Sequence, residues 1–233
     1  MQIISLITGA GVYTQELFLE KKTRLPLFII LLYFIFPLFL GYIVEIYRGK
    51  ISSQSDNPFA FATGTKTLGR LFYDGIRAFI IQILYATPIA LVLGPIIAAI
   101  IFGEGDPVEA VGSGIFGLPD EAIIFIGVLA GLFIFLYTIL IAFSLPIGLA
   151  RFAHTGKMLD AFRFLAIFRH ITRIGWISYL LSIGILLLII GGTEYLLMQI
   201  PQIGWILVII ATPVLAVFAA RYSALIYESV PEE

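Results

Sequence analysis

The sequence contains no cysteine, only two histidines, and few charges: 12% of its 233 residues are Asp, Glu, Lys or Arg. Each shortage removes something. Without cysteine there is no disulfide, no thiolate nucleophile and no Cys-based metal site. His154 and His170 have no acidic or histidine neighbour at ligand spacing, so neither a metal site nor a bound cofactor is expected. Charge at about half the level of an average soluble domain leaves too little polar surface to face water. A net charge of −1 offers no electrostatic footprint for nucleic acid.

Charge is absent altogether from five runs, residues 25–44, 78–103, 122–150, 174–193 and 195–220. Ionisable groups inside a membrane are the usual mark of proton relays, ion coupling and intramembrane catalysis. These runs hold none, and the chain shows no nucleophile beside a base and no carboxylate pair set across a pocket. The protein is therefore expected not to be an enzyme, with no catalytic residue to nominate.

What remains is oil. Hydrophobic residues make up 60% of the chain, and the mean hydropathy is +1.05. The five runs are 20 to 29 residues long. Roughly 20 apolar residues cross the hydrocarbon core as a helix, which closes every backbone hydrogen bond within itself. The expected fold is thus an all-α integral membrane protein. Trp176 with Tyr179, and Tyr195 with Trp205, sit near span ends as an aromatic belt requires.

Lysine and arginine set the topology. Residues 104–121 carry neither, only Glu104, Asp106, Glu109, Asp120 and Glu121. Residues 48–77 and 151–173 carry five basic residues each. Four full spans then place 48–77, 151–173 and the C-terminus in the cytoplasm, with 104–121 and 194–203 outside. The expected location is the cytoplasmic membrane of a prokaryote. The run 25–44 does not fit, because basic residues lie on both sides of it. Pro37 interrupts it, so this segment is either a re-entrant hairpin turning near Pro37 or a fifth span. Residues 1–24 have no charged n-region and do not read as a signal peptide. They are expected to form an arm on the membrane surface.

Two amphipathic surface helices are expected on the cytoplasmic side. In the first, Leu68, Leu71, Phe72 and Phe79 share one face, and Arg70, Asp74 and Arg77 another. In the second, Ala161, Phe164, Leu165, Phe168 and Ile171 share an arc, while Asp160, Arg163, Arg169, His170 and Arg173 lie off it. "LPIGLARF" at 145–152 is echoed by "TPVLAVFAARY" at 212–222. Each follows the same order of surface helix, span, connection and span. Residues 25–228 are accordingly one transmembrane domain, with two parallel repeats over 68–153 and 158–223 and a tail at 229–233.

"GSGIFG" at 112–117 lacks the strand, helix and distant acid of a dinucleotide fingerprint and reads as loop. The carboxylates of 104–121 lack EF-hand spacing. Arg70, Asp74, Arg77, Arg151, Arg163 and Arg221 are candidates for docking lipid headgroups or a partner. Gly127 and Gly131 form GxxxG and are candidates for helix packing, within one protomer or along a dimer seam. Pro88, Pro95, Pro146 and Pro213 are expected to kink their spans.

The motifs "GY" at 41–42, "YRG" at 47–49, "LFYDGIRAF" at 71–79, "LYATP" at 84–88, "ARFAHTG" at 150–156 and "DAFRF" at 160–164 resemble those of domain-of-unknown-function family 4013. Its members are mainly archaeal polytopic membrane proteins. The resemblance covers roughly residues 25–228. It departs in the first loop, where the family's acidic "LPeF" element is replaced by "SDNPFAFATGTKTLGR". The resemblance implies a polytopic fold and no activity. The function expected is a non-enzymatic membrane scaffold or accessory subunit, with membrane lipids and a membrane-protein partner or a second copy as company. The alternative is a small permease for a neutral or lipidic substrate.

Overall fold

A computed structural model describes residues 3–18, 24–49, 65–102 and 120–231. Among them the regular structure is helical throughout: α1 (Ile3–Phe18), α2 (Arg24–Phe34), α3 (Phe36–Tyr47), α4 (Thr65–Phe102), α5 (Asp120–Thr155), a short 3-10 turn (Met158–Phe162), α6 (Phe164–Ile174), α7 (Trp176–Met198) and α8 (Gly204–Glu228). Four helical stretches are long and apolar enough to cross a membrane: Leu68–Pro95, Ile124–Thr155, Trp176–Met198 and Gly204–Glu228. The four expected spans are these. "GSGIFG" and the acidic residues Glu104, Asp106 and Glu109 fall in 103–119, outside the described residues, whereas Asp120 and Glu121 open α5.

The run 25–44 becomes α2 and α3, bent by 118° at Ile35. Ile35 leaves helical space at φ −128°, ψ 53°. Pro37 then occupies the first turn of α3, where its missing N–H costs nothing. The Leu38 N–H donates to the Ile35 carbonyl at 2.9 Å and starts the new helix. At 1.5 Å per residue and with that bend, the two ends of the pair lie about 18 Å apart, short of the ~30 Å hydrocarbon core. This is not a straight fifth span.

The chain divides into two compact units, Met1–Ile81 with Phe143–Glu233, and Gln82–Ala142. In the first unit α8 is the hub, with α1, α2, α3 and α7 packed on it. The N-terminal arm is a packed helix, whose Leu6, Ala10, Tyr13 and Leu17 recur at helical spacing and are all buried. Phe28 joins α1, α2 and α3 through edge-on contacts with Phe18 at 5.1 Å and Tyr42 at 4.8 Å. Such pairs add about 0.5–1.5 kcal/mol beyond the area they bury.

α3 crosses α4 antiparallel at a point with no side chains. A Cβ on Gly41 would lie 2.0 Å from the Leu71 carbonyl oxygen, and one on Gly75 would lie 1.7 Å from that of Pro37. Only glycine lets two helix backbones approach this closely.

One expectation is corrected here. The amphipathic stretch 68–79 is not a separate surface helix but the first part of α4, which runs unbroken from Thr65 to Phe102. No residue between 68 and 79 forces a stop, whereas α6 is cut from α7 by Gly175 at φ +95°. A side chain there would be strained.

The second unit comprises the adjoining parts of α4 and α5. Within it Ile124, Phe125, Val128, Leu132 and Phe135 of α5 are exposed. That surface is suited to lipid. The helices also continue through their prolines: α4 through Pro88 and Pro95, α5 through Pro146, and α8 through Pro213.

Candidate functional site

An α-helix ends on four carbonyls without intrahelical partners, at the negative end of its dipole. In the first unit four helices end this way, and basic side chains from elsewhere in the chain meet their last turns. Arg24 donates to the Leu17 carbonyl of α1 at 3.4 Å. His154 Nε2 lies 2.9 Å from the Tyr47 carbonyl of α3, and His170 Nε2 lies 3.1 Å from the Tyr227 carbonyl of α8. A carbonyl only accepts, so Nε2 carries the proton in both rings. At the end of α5, Arg48 Nε donates to the Ala153 carbonyl at 2.7 Å and Arg77 to that of Gly156 at 3.2 Å. Both histidines are thus structural caps, and His170 also stacks on the Tyr227 ring at 4.3 Å.

Beside these caps lies an ion cluster. Glu45, 1% exposed, accepts from Arg48 and from Arg70, the latter at 3.2 Å. Arg48 also donates to the buried Asp74 at 2.7 Å. The glycine crossing explains the geometry: Glu45 lies one turn beyond Gly41 on α3, and Asp74 is the neighbour of Gly75 on α4. Two carboxylates and two guanidiniums balance to zero. Burial works against the charge on Arg48, but hydrogen bonds and attraction from Asp74 and Glu45 outweigh it and hold its pKa above the ordinary value.

The other sequence candidates are more scattered. Arg77 also lies over the Tyr73 ring at 4.1 Å. Arg163, 68% exposed, pairs with Asp160 at 3.2 Å. Arg221 sits 3.8 Å from Glu228 and over the Tyr13 ring at 5.6 Å. Burial pushes the Tyr13 phenol up to about 12, against the attraction of Arg221. Gly127 and Gly131 are exposed, and a Cβ on either would meet nothing within 4 Å. The close glycine contact lies instead at Gly41 and Gly75.

Arg151 has a different setting. It lines a cleft with a volume of about 60 Å³, together with Thr155 of α5, Ala166, Arg169, His170 and Arg173 of α6, and Tyr227 of α8. Among the described residues that line it, three carry guanidiniums and none a carboxylate. The Arg151 Nε is buried and has no acceptor among the described residues.

Sequence reasoning did not nominate Glu45, Arg48, Arg169 or Arg173. The last two carried a signal, since with Ala166 and His170 they sit at i, i+3, i+4 and i+7 on one helix face.

The family model described as "Protein of unknown function (DUF4013)" matches residues 25–220. The chain belongs to the DUF4013 family. The motifs behind the DUF4013 resemblance now have physical roles. Gly41 and Gly75 make the backbone crossing, Asp74 joins the ion cluster, His154 meets the end of α3, and Gly156 accepts from Arg77 just past the end of α5. No curated protein and no solved structure matches this DUF4013 chain.

Proposed function

We propose that this DUF4013 protein is a multi-pass protein of a prokaryotic cytoplasmic membrane, acting as a non-enzymatic scaffold or accessory subunit. The carrying observation is the use to which its buried charges are put. Glu45, Arg48 and Asp74 bind one another and the end of α5, and the buried His170 meets the end of α8. These groups hold helices together. The bent α2–α3 pair favours a re-entrant hairpin, with both its ends on the basic, cytoplasmic side together with the C-terminus. The permease alternative drew on the repeat and on proline-broken spans; the helices run on through those prolines, which weakens the second of these supports.

Purification in mild detergent from native membranes tests the proposal. The expected result is a stoichiometric membrane-protein partner, or a defined homo-oligomer. A solitary protein that carries a neutral solute across proteoliposome membranes would refute it.

A further inference from the structure

We propose that the Tyr33 hydroxyl and the backbone carbonyl released by Pro213 form a latch, which sets the bend between α2 and α3 at mid-bilayer depth against α8. Proline has no N–H, so Pro213 leaves the Ile209 carbonyl, one turn earlier in α8, without its helical donor. No water replaces that donor in hydrocarbon, where an unmet carbonyl is costly. The Tyr33 hydroxyl of α2 donates to this carbonyl at 3.3 Å. The Thr212 hydroxyl, beside the proline, goes instead to the Val208 carbonyl at 2.7 Å. Tyr33 is 48% exposed. In such an apolar setting a phenylalanine ring would pack equally well, so the hydroxyl is what the contact requires.

α5 repeats the arrangement. Pro146 disrupts the turn before it, and Tyr179 of α7 donates to the Phe143 carbonyl in that turn at 2.5 Å. In both helices a tyrosine from elsewhere in the chain supplies a donor where proline has withheld one.

Ile209 gives the depth. It lies close to the middle of the charge-free run 195–220. At 1.5 Å per residue it is about 18 Å from Arg221, where half the hydrocarbon core is about 15 Å. Tyr33 is a near neighbour of Ile35, where the chain turns by 118°. The contact therefore brings the bend close to the centre of the membrane. Phe34, 82% exposed, faces the acyl chains at the same level.

A double-mutant cycle on the full chain in detergent, followed by thermal unfolding, tests the latch. Tyr33→Phe orphans the Ile209 carbonyl and should lower the midpoint by about 2–4 °C. Pro213→Ala returns an N–H to α8, so in that background Tyr33→Phe should lower it by less than about 1 °C. Tyr73→Phe, whose hydroxyl meets Arg77 and no proline gap, should cost the same in both. Equal losses from Tyr33→Phe in the two backgrounds would overturn the latch. A nitroxide on Phe34→Cys in liposomes reads depth without touching Pro213. It should favour dissolved oxygen over a water-soluble nickel chelate, opposite to one on the exposed Lys157→Cys, and Tyr33→Phe should increase its motion. Unchanged motion, with position 34 still deep, would overturn the latch and leave the re-entrant pair standing. Preference for the nickel chelate at position 34 would overturn both. The latch rests on the re-entrant reading of the bent pair, and none of these readouts depends on a copurifying partner.

Discussion

Asp74 is a carboxylate buried beside an apolar span, and it tolerates that place because Arg48 donates to it at 2.7 Å. Taking away one member of a buried pair strands the other, at a cost of about 3–5 kcal/mol. Asp74→Ala should therefore lower thermal stability in detergent sharply, whereas Arg163→Ala, which removes a 68% exposed guanidinium from the buried Asp160, should lower it less. The pH dependence follows from Arg48. A cation whose folded pKa is raised stabilises the fold fully below its ordinary value, and this contribution is lost only as pH rises through the folded value. Arginine titrates so high that the Arg48 contribution should be constant across the neutral and mildly alkaline range. Unfolding followed from pH 7 to about 10 checks this. The sequence displayed Arg70, Asp74 and Arg77 as one helix face, and that spacing was legible. Their partners were not, because Glu45 and Arg48 lie more than twenty residues away and periodicity reports neighbours on one helix only.

Two helices touch without side chains where α3 passes α4. Gly75→Ala would place a methyl 1.7 Å from the Pro37 oxygen, and overpacking of this kind costs about 1–3 kcal/mol or more. A loss of thermal stability and of a monodisperse peak in size-exclusion chromatography is expected for Gly75→Ala and Gly41→Ala. Gly69, on the same helix, has nothing within 4 Å of its would-be Cβ. Gly69→Ala should leave stability unchanged or raise it by about 0.5–1 kcal/mol. If Gly69→Ala proves as damaging as Gly75→Ala, the crossing has been misplaced. The spans were readable because lipid excludes charge, and missing charge marks the excluded length. The unbroken passage of α4 from polar to apolar residues was not readable. Hydropathy reports the surroundings of a helix, and those change near residue 78 while the backbone does not.

For the whole molecule, the natural lack of cysteine makes topology directly measurable. Single variants Lys157→Cys and Gln199→Cys place exposed thiols on either side of α7. In intact cells a membrane-impermeant thiol reagent should label position 199 and reach position 157 only after permeabilisation. The reverse pattern would invert the proposed orientation. The gathering of basic residues at 151–173 was visible in the sequence as a membrane boundary. Its division of labour was not: His154 and His170 meet carbonyls, Arg163 pairs locally, and Arg151, Arg169 and Arg173 share a cleft. That division depends on where the ends of α5 and α8 arrive, which no local pattern encodes.

The contact between Arg48 and Asp74 also bears on the order of synthesis. Arg48 leaves the ribosome before Asp74, so the buried acid always enters a membrane in which its counter-ion is already waiting. A polypeptide begun at residue 65 would insert α4 with that acid orphaned, and quality-control proteolysis should remove it. Supplying residues 1–64 as a separate chain should rescue its accumulation, measured by immunoblot of the membrane fraction.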